Sequence, residues 1–153
     1  MSALTTLLTS QPYTVRGDSM MPSFRPGDLL LVSGRASTRS APARGDVVVV
    51  RDPRDAGNEL LKRIVGMPGD EVGLSDGLLF LNGEHVEEPY LGGLPSSPGL
   101  VPGNWRLGDA EFFILGDQRT RSTDSRQFGA IPRELIVGRA WCRIWPPRGW
   151  RLL

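Results

Sequence analysis

The sequence has 153 residues, enough for one domain with a substantial core. Its 39% apolar and 23% charged residues are ordinary for a globular chain, and a net charge of +1 gives no electrostatic argument for a nucleic-acid partner. Nineteen glycines and thirteen prolines disfavour long helices; one cysteine, Cys142, excludes an internal disulfide, and one histidine, His85, excludes a zinc site of clustered His and Cys.

The N-terminus, MSALTTLLTS, has no basic flank and only a short apolar patch. It reads as a poor signal peptide and as a two-turn amphipathic helix. The longest uninterrupted aliphatic or aromatic runs are about four residues, such as Leu29–Val32 and Phe112–Leu115. A membrane span needs roughly 20. Short apolar runs between turn residues predict strands near 28–33, 46–51, 60–66, 71–74, 78–82, 111–115 and 136–144. The breakers between them are Pro26-Gly27, Arg44-Gly45-Asp46, Pro68-Gly69-Asp70 and Asn82-Gly83. Asn82-Gly83 predicts a tight hairpin, because both residues tolerate positive φ. Residues 34–44 read as a polar loop and 92–103 as a flexible one. Two prolines keep the tail 144–150 out of a helix. The expected architecture is one mainly β domain, 1–153, with a short N-terminal segment over 1–12.

Four segments carry the chemistry. Ser19 lies in Gly17-Asp18-Ser19-Met20-Met21-Pro22, a rigid turn that can present a hydroxyl. Arg44-Gly45-Asp46 feeds the run Val47–Val50. Lys62, the only lysine beside seventeen arginines, sits in the apolar strand Leu60–Val65. A polar loop runs from Gly116-Asp117-Gln118 to Phe128-Gly129. A serine hydroxyl is a poor nucleophile until a base takes its proton. His85 lies beside the hairpin turn among carboxylates and reads as a solvated turn residue. Lys62 is the other candidate: an amine desolvated in an apolar strand loses proton affinity, which arginine cannot do. A lone strand lysine and a turn serine are each ordinary alone. Cys142, in an alternating strand, reads as a packed core residue.

In combination the four segments resemble boxes B, C, D and E of the type I signal peptidases, the Ser–Lys serine proteases of the S26 family. Gly17 to Pro22 is similar to the nucleophile box. Lys62-Arg63 with Gly66-Met67-Pro68-Gly69-Asp70 is similar to the lysine box. Gly116-Asp117 through Ser122-Thr123-Asp124-Ser125-Arg126 and Gly129 is similar to the last box. The stretch Leu81-Asn82-Gly83 to Glu88-Pro89-Tyr90-Leu91 resembles the hairpin between boxes D and E. The likeness runs from about residue 13 to 145.

The resemblance implies coiled antiparallel sheets of the signal-peptidase and LexA-like type, with few short helices. It implies Ser19 as nucleophile and Lys62 as general base. Ser122 would orient the lysine amine, Asp124 and Arg126 would form an ion pair, and Arg63 would pair with Asp117. The Ser19 N–H would stabilise the oxyanion; Gly17 stands where some relatives add a serine hydroxyl. Gln118 replaces the usual Asn. Substrates with small residues at −1 and −3, Ala-x-Ala, would bind as an added strand near Val15, Gly17, Met20, Phe24 and Leu61. No metal or other cofactor is implied.

The implied partners are signal-peptide-bearing preproteins, with no nucleic acid. Met20, Met21, Phe24, Trp141, Trp145 and Trp150 are candidates for an apolar rim making peripheral membrane contact, or else for core. Family members normally carry an N-terminal transmembrane helix, which this chain lacks. A signal peptidase would act at the extracytoplasmic membrane face. A soluble, cytoplasmic protease maturing one dedicated proprotein, as nickel superoxide dismutase maturation proteases do, is the alternative. A module that binds signal peptides without cutting them is a further one, disfavoured by the presence of both Ser19 and Lys62. A self-cleaving repressor of the LexA type would need more than the 18 residues that precede Ser19.

Overall fold

The computed structural model describes residues 9–34, 41–96, 102–147 and 151–153. Its strands are β1 (Ser10–Thr14), β2 (Leu29–Gly34), β3 (Val47–Asp52), β4 (Asp55–Gly66), β5 (Glu71–Ser75) and β6 (Leu78–Leu81). Then come β7 (Glu84–Val86), β8 (Gly103–Arg106), β9 (Glu111–Leu115), β10 (Ile131–Pro132), β11 (Ile136–Trp145) and β12 (Arg151–Leu152). One short helix, α1 (Ser125–Phe128), joins β9 to β10. All the pairings are antiparallel.

Two sheets result. The larger runs β1-β2-β11-β3-β4-β9-β10, with β12 added to β11; the smaller runs β7-β6-β5-β8. Val47, Val48, Val49 and Val50 are all buried, so β3 is covered on both faces. Val47 and Val49 enter a cluster with Val15, Met20, Phe24, Leu30, Val32 and Leu61. Val48 and Val50 enter another with Ile64, Phe112, Ile114 and Ile136. A third cluster joins the two sheets: Val65, Phe113 and Leu115 of the large one meet Val72, Leu74, Leu79 and Leu81 of the small one. Burial of each such side chain is worth about 1.5–3 kcal/mol.

The predicted strands form, most with bounds moved by a residue or two. The hairpin between β6 and β7 turns through Asn82 and Gly83 at φ 54° and 82°, as a two-residue turn of this hand requires. The expected N-terminal helix falls on residues 1–8, outside the described residues; Ser10–Thr14, which follows, is strand, registered against Leu29–Ser33. At the ends of the expected 92–103 loop, Ser96 donates its N–H to the Gly77 carbonyl at 2.7 Å and Gly103 begins β8. Residues 97–101 of that loop and 35–40 of the other lie outside the described residues.

Large-sheet curvature positions the site. β1 is one edge strand, and β4 is three strands away from β2 in the hydrogen-bonded order. Yet Pro12–Thr14, Arg16 and Gly17 line the same cavity, about 740 Å³, as Arg51, Asp52 and Ala56–Leu60. The sheet curls until β1 faces the β3–β4 hairpin.

Candidate active site

Ser19 follows β1 in a turn closed by Met21 N–H on the Asp18 carbonyl (3.0 Å) and Phe24 N–H on the Met20 carbonyl (2.9 Å). Met20 and Phe24, each 1% exposed, anchor that turn in the core and leave Ser19 half-buried at its corner. Lys62 stands in β4 between buried Leu61 and half-buried Arg63 and is itself only 3% exposed. Its Nζ lies 2.9 Å from Ser19 Oγ. Burial lowers the amine's pKa from 10.5 to about 8; Asp124 opposes the shift, Arg126 adds to it, and Asp117 and Asp52 oppose it. A lysine with this pKa is partly neutral near physiological pH, and the neutral form can accept the serine proton.

The loop after β9 closes the site. Asp117, wholly buried, receives Arg63 on both carboxylate oxygens at 2.9 and 2.7 Å, and the Ser23 hydroxyl as well. Gln118 donates its N–H to the Ser19 carbonyl at 2.9 Å, so this loop lands directly on the turn that carries Ser19. Gly116 makes the contact sterically possible. A Cβ there would stand 2.2 Å from Ser122 Oγ and 2.6 Å from the Ser19 carbonyl oxygen.

Asp124, also wholly buried, gathers the rest. It accepts Gly116 N–H at 3.0 Å, Ser122 Oγ at 2.7 Å and Arg126 Nε at 2.8 Å. It also caps α1, with Gln127 returning the bond to the Asp124 N–H, a capping box. Among the described residues Arg126 Nη1 is the one buried side-chain polar atom left without a partner.

The expected pairs Arg63–Asp117 and Asp124–Arg126 thus form, at 2.7 and 2.8 Å. The Ser122 hydroxyl donates to Asp124, a carboxylate that also acts on Lys62. The expected substrate residues divide. Gly17 lines the 740 Å³ cavity. Val15, Met20, Phe24 and Leu61 are 1–5% exposed and pack with one another as core. Apolar side chains at a strand end and a turn serve burial first; the open wall is Pro12, Tyr13, Thr14 and Arg16 opposite Ala56–Leu60.

His85 lies on β7 of the small sheet, its ring 5.9 Å from that of Phe80. Cys142 is half-buried rather than core, since β11 is covered less well toward its end. Glu88, Tyr90 and Arg119 went unread in the sequence. Nothing in a polar loop signals that its arginine is buried, and Arg119 is 3% exposed. No group of three or more His, Cys, Asp or Glu side chains suited to a metal occurs among the described residues. A second cavity, about 750 Å³, is lined by Phe24, Arg63, Tyr90, Arg143 and Arg151 among others; neither it nor the 740 Å³ cavity has Ser19 or Lys62 in its wall.

A family model described as signal peptidase, peptidase S26, matches residues 1–145. A probable signal peptidase I-2 of Synechocystis is 35% identical over 138 residues, 86% of this chain and 62% of that protein. The chain therefore spans less than two thirds of that relative's length. Signal peptidase I of Bacillus caldolyticus is 35% identical over 145 residues, covering 88% and 79% of the two chains. Signal peptidase IB of Staphylococcus aureus is 32% identical over 150 residues, covering 88% and 78%. A crystal structure of signal peptidase I from Enterococcus faecalis superposes with a TM-score of 0.57 at 28% identity, over 65% of this chain and 97% of that one. The chain belongs to the signal peptidase family, peptidase S26, a family of Ser–Lys serine endopeptidases that act on signal-peptide-bearing preproteins.

Proposed function

We propose that this chain is a serine endopeptidase of the signal peptidase I type, with Ser19 as nucleophile and Lys62 as general base. The observation that carries the reading is the 2.9 Å contact between the one lysine amine, buried and lowered to about pKa 8, and a hydroxyl on a rigid turn.

The reaction is acyl transfer. Neutral Lys62 takes the Ser19 proton as Oγ attacks the scissile carbonyl carbon, and the carbonyl electrons move onto its oxygen. The Ser19 N–H, which has no acceptor among the described residues, faces that charge. Gly17 adds no side-chain donor, and each donor of this kind is worth roughly 2.7–4 kcal/mol. Protonated Lys62 then gives its proton to the leaving amine, the peptide C–N bond breaks, and an acyl-serine remains. Water, deprotonated by Lys62, hydrolyses the ester and restores both side chains. Asp124 and Asp117 steady the ammonium between the two halves, and Ser122 acts on the amine through Asp124.

The substrate lies extended in the 740 Å³ cavity between β1 and β4, with small residues at −1 and −3 and cleavage after −1. That cavity leads from Gly17 and Leu60, each two residues before its reacting side chain. An added strand gains main-chain hydrogen bonds from both edges. The substrates are secretory preproteins met at a membrane surface. No helix among the described residues is long and apolar enough to cross a membrane. Membrane contact falls to Trp145, Leu152 and Leu153, which are 55%, 78% and 44% exposed at the β11–β12 pair. Tryptophan favours such an interface. Met20 and Phe24 are core and drop from the apolar rim; Trp141 is half-buried with its indole N–H on Ser10 Oγ, and Trp150 lies outside the described residues.

The test is cleavage of an Ala-x-Ala peptide, with Ser19→Ala and Lys62→Ala in parallel, with and without lipid vesicles. Cleavage after the second Ala, lost by a factor of about 10³ or more in both variants, is expected. Full activity in either variant refutes the assignment. Co-sedimentation with vesicles, weakened by Trp145→Ser, is the expected lipid result; equal binding by that variant refutes the rim.

A further inference from the structure

Segment 88–96 leaves the small sheet after β7 and reaches three of the four chemistry-bearing segments: the Ser19 turn, β4 and the loop after β9. Glu88 receives Arg119 on both carboxylate oxygens, at 2.6 and 3.1 Å, with both side chains 2% exposed. Arg119 also donates to the Ser96 carbonyl at 2.7 Å and, through Nε, to the Gly116 carbonyl at 3.0 Å. Tyr90 donates its hydroxyl to Glu88 and lays its ring 4.0 Å from the Arg63 guanidinium carbon. The Tyr90 carbonyl accepts Ser23 Oγ at 3.4 Å, on the nucleophile turn.

None of these contacts involves Ser19 Oγ or Lys62 Nζ. Two of them hold residues beside the pair, Gly116 and Arg63. Gly116 is the spacer between Ser19 and Ser122, and its N–H is bound by Asp124. Arg63 follows Lys62 in β4 and is gripped between Tyr90 and Asp117. A buried ion pair is seldom more stabilising than apolar packing of the same volume. What four acceptors around one planar guanidinium supply is a fixed position.

We infer that Glu88, Tyr90 and Arg119 are positioning residues: together they strap the 116–124 loop and β4 against each other and keep water from Lys62. Five groups surround the amine: Ser19 from the turn, Asp117 and Asp124 from the loop, Arg126 from α1 and Asp52 from β3. The strap contributes no charge to that set. It acts on the lysine through solvent exclusion, which is the largest influence on it.

The presence of a single lysine makes this directly measurable. Protein grown with ε-¹³C-lysine gives one side-chain resonance, whose pH titration reads Lys62 without any substrate. Wild type is expected to titrate near 8. Tyr90→Leu removes the ring and the hydroxyl; the paired Glu88→Gln, Arg119→Met variant removes the ion pair without leaving a lone buried charge. Each is expected to move the titration up by about one pH unit as water enters. The Ser–Lys reading is needed only for the kinetic arm, where kcat at pH 7 falls about tenfold with KM unchanged and the acidic limb of the pH profile shifts by the same amount.

Arg106→Gln cuts an exposed ion pair to Glu71 on the small sheet and is expected to shift nothing. Folded Tyr90→Leu protein that titrates at the wild-type pH overturns the inference, as does an equal shift in Arg106→Gln. If the paired variant does not fold, Tyr90→Leu decides alone. A lysine that responds to the strap in a protein that cleaves no peptide, or cleaves it with Ser19→Ala, overturns the protease assignment and leaves the strap standing.

Discussion

Lys62 costs this protein stability. The folded amine has a pKa of about 8, against an ordinary 10.5. Between those values the unfolded chain binds a proton that the folded chain has released, so stability rises with pH across that window. Below pH 8 the full penalty stands. Lys62→Met keeps the length without the charge, and is expected to raise stability at pH 7 by about 3 kcal/mol, less whatever the Ser19 contact contributes. Urea unfolding at pH 7 and pH 10 checks this. The wild type is expected to gain on going to pH 10 through this residue, and the variant to lack that gain. On the proposed reading the same amine sets the rate: kcat/KM is expected to rise with pH through about 8, and a profile flat from pH 5 to 10 removes Lys62 as base. Gly116 has the opposite character, being essential for what it lacks. Gly116→Ala drives a methyl into Ser122 and the Ser19 carbonyl. A displacement of about 1 Å at a reacting group costs on the order of 10² in rate. Steady-state kinetics beside a thermal melt separates that loss from simple unfolding.

At the scale of elements, α1 is the least self-sufficient piece. Four residues cannot hold a helix by their own hydrogen bonds. The Asp124 cap, the Gln127 return and Ile114 N–H on Ser125 Oγ at 3.0 Å tie it to β9. Asp124→Ala removes the cap and strands Arg126 at 7% exposure, for an expected loss of about 3–5 kcal/mol in urea unfolding. Asp124→Asn keeps the cap and is expected to cost less. Much of the fold was legible in the residue order: four valines after a turn mark a buried strand, and Asn-Gly marks a hairpin. The turn that carries Ser19 and the strand that carries Lys62 were legible for the same reason: each is a short-range pattern. The helix α1 and its cap were not among the predicted elements. Where the pattern is long-range, the sequence was mute. Arg119 sits 31 residues from Glu88 and looks like any loop arginine. Met20 and Phe24 were candidates for core and for a lipid-facing rim alike, because an apolar residue beside a turn does not reveal which side the core is on. The hydrogen bond from the Ser122 hydroxyl to Asp124 is likewise a matter of geometry that residue order does not show.

The whole molecule is two sheets held by one apolar cluster and by buried pairs that cross between them. Glu88 belongs to the small-sheet side and Arg119 to the large. Burial pushes the Glu88 carboxyl up, and the Arg119 ion pair, with hydrogen bonds from Ser96 and Tyr90, outweighs it and leaves it below 4.5. A carboxyl lowered on folding stabilises above its unfolded value and stops doing so as pH falls through its folded one. The two sheets are therefore expected to part as the pH drops below about 4.5, with loss of near-UV signal from Trp105, which packs 4.7 Å from Phe113 across the junction. Retention of that signal well below pH 3 would show that the apolar cluster suffices alone.

The curled sheet has one more consequence. A peptide laid against a single strand edge bonds through every second residue, so proline is tolerated at the alternate ones. In the cavity between β1 and the β3–β4 hairpin a peptide has an edge on each side. Its odd-numbered amides face one wall and its even-numbered amides the other. Proline should then be refused at every position the cavity spans, and tolerance should return abruptly one residue beyond it. A proline scan along a cleavable peptide would thus measure, in residues, how far the two walls run together.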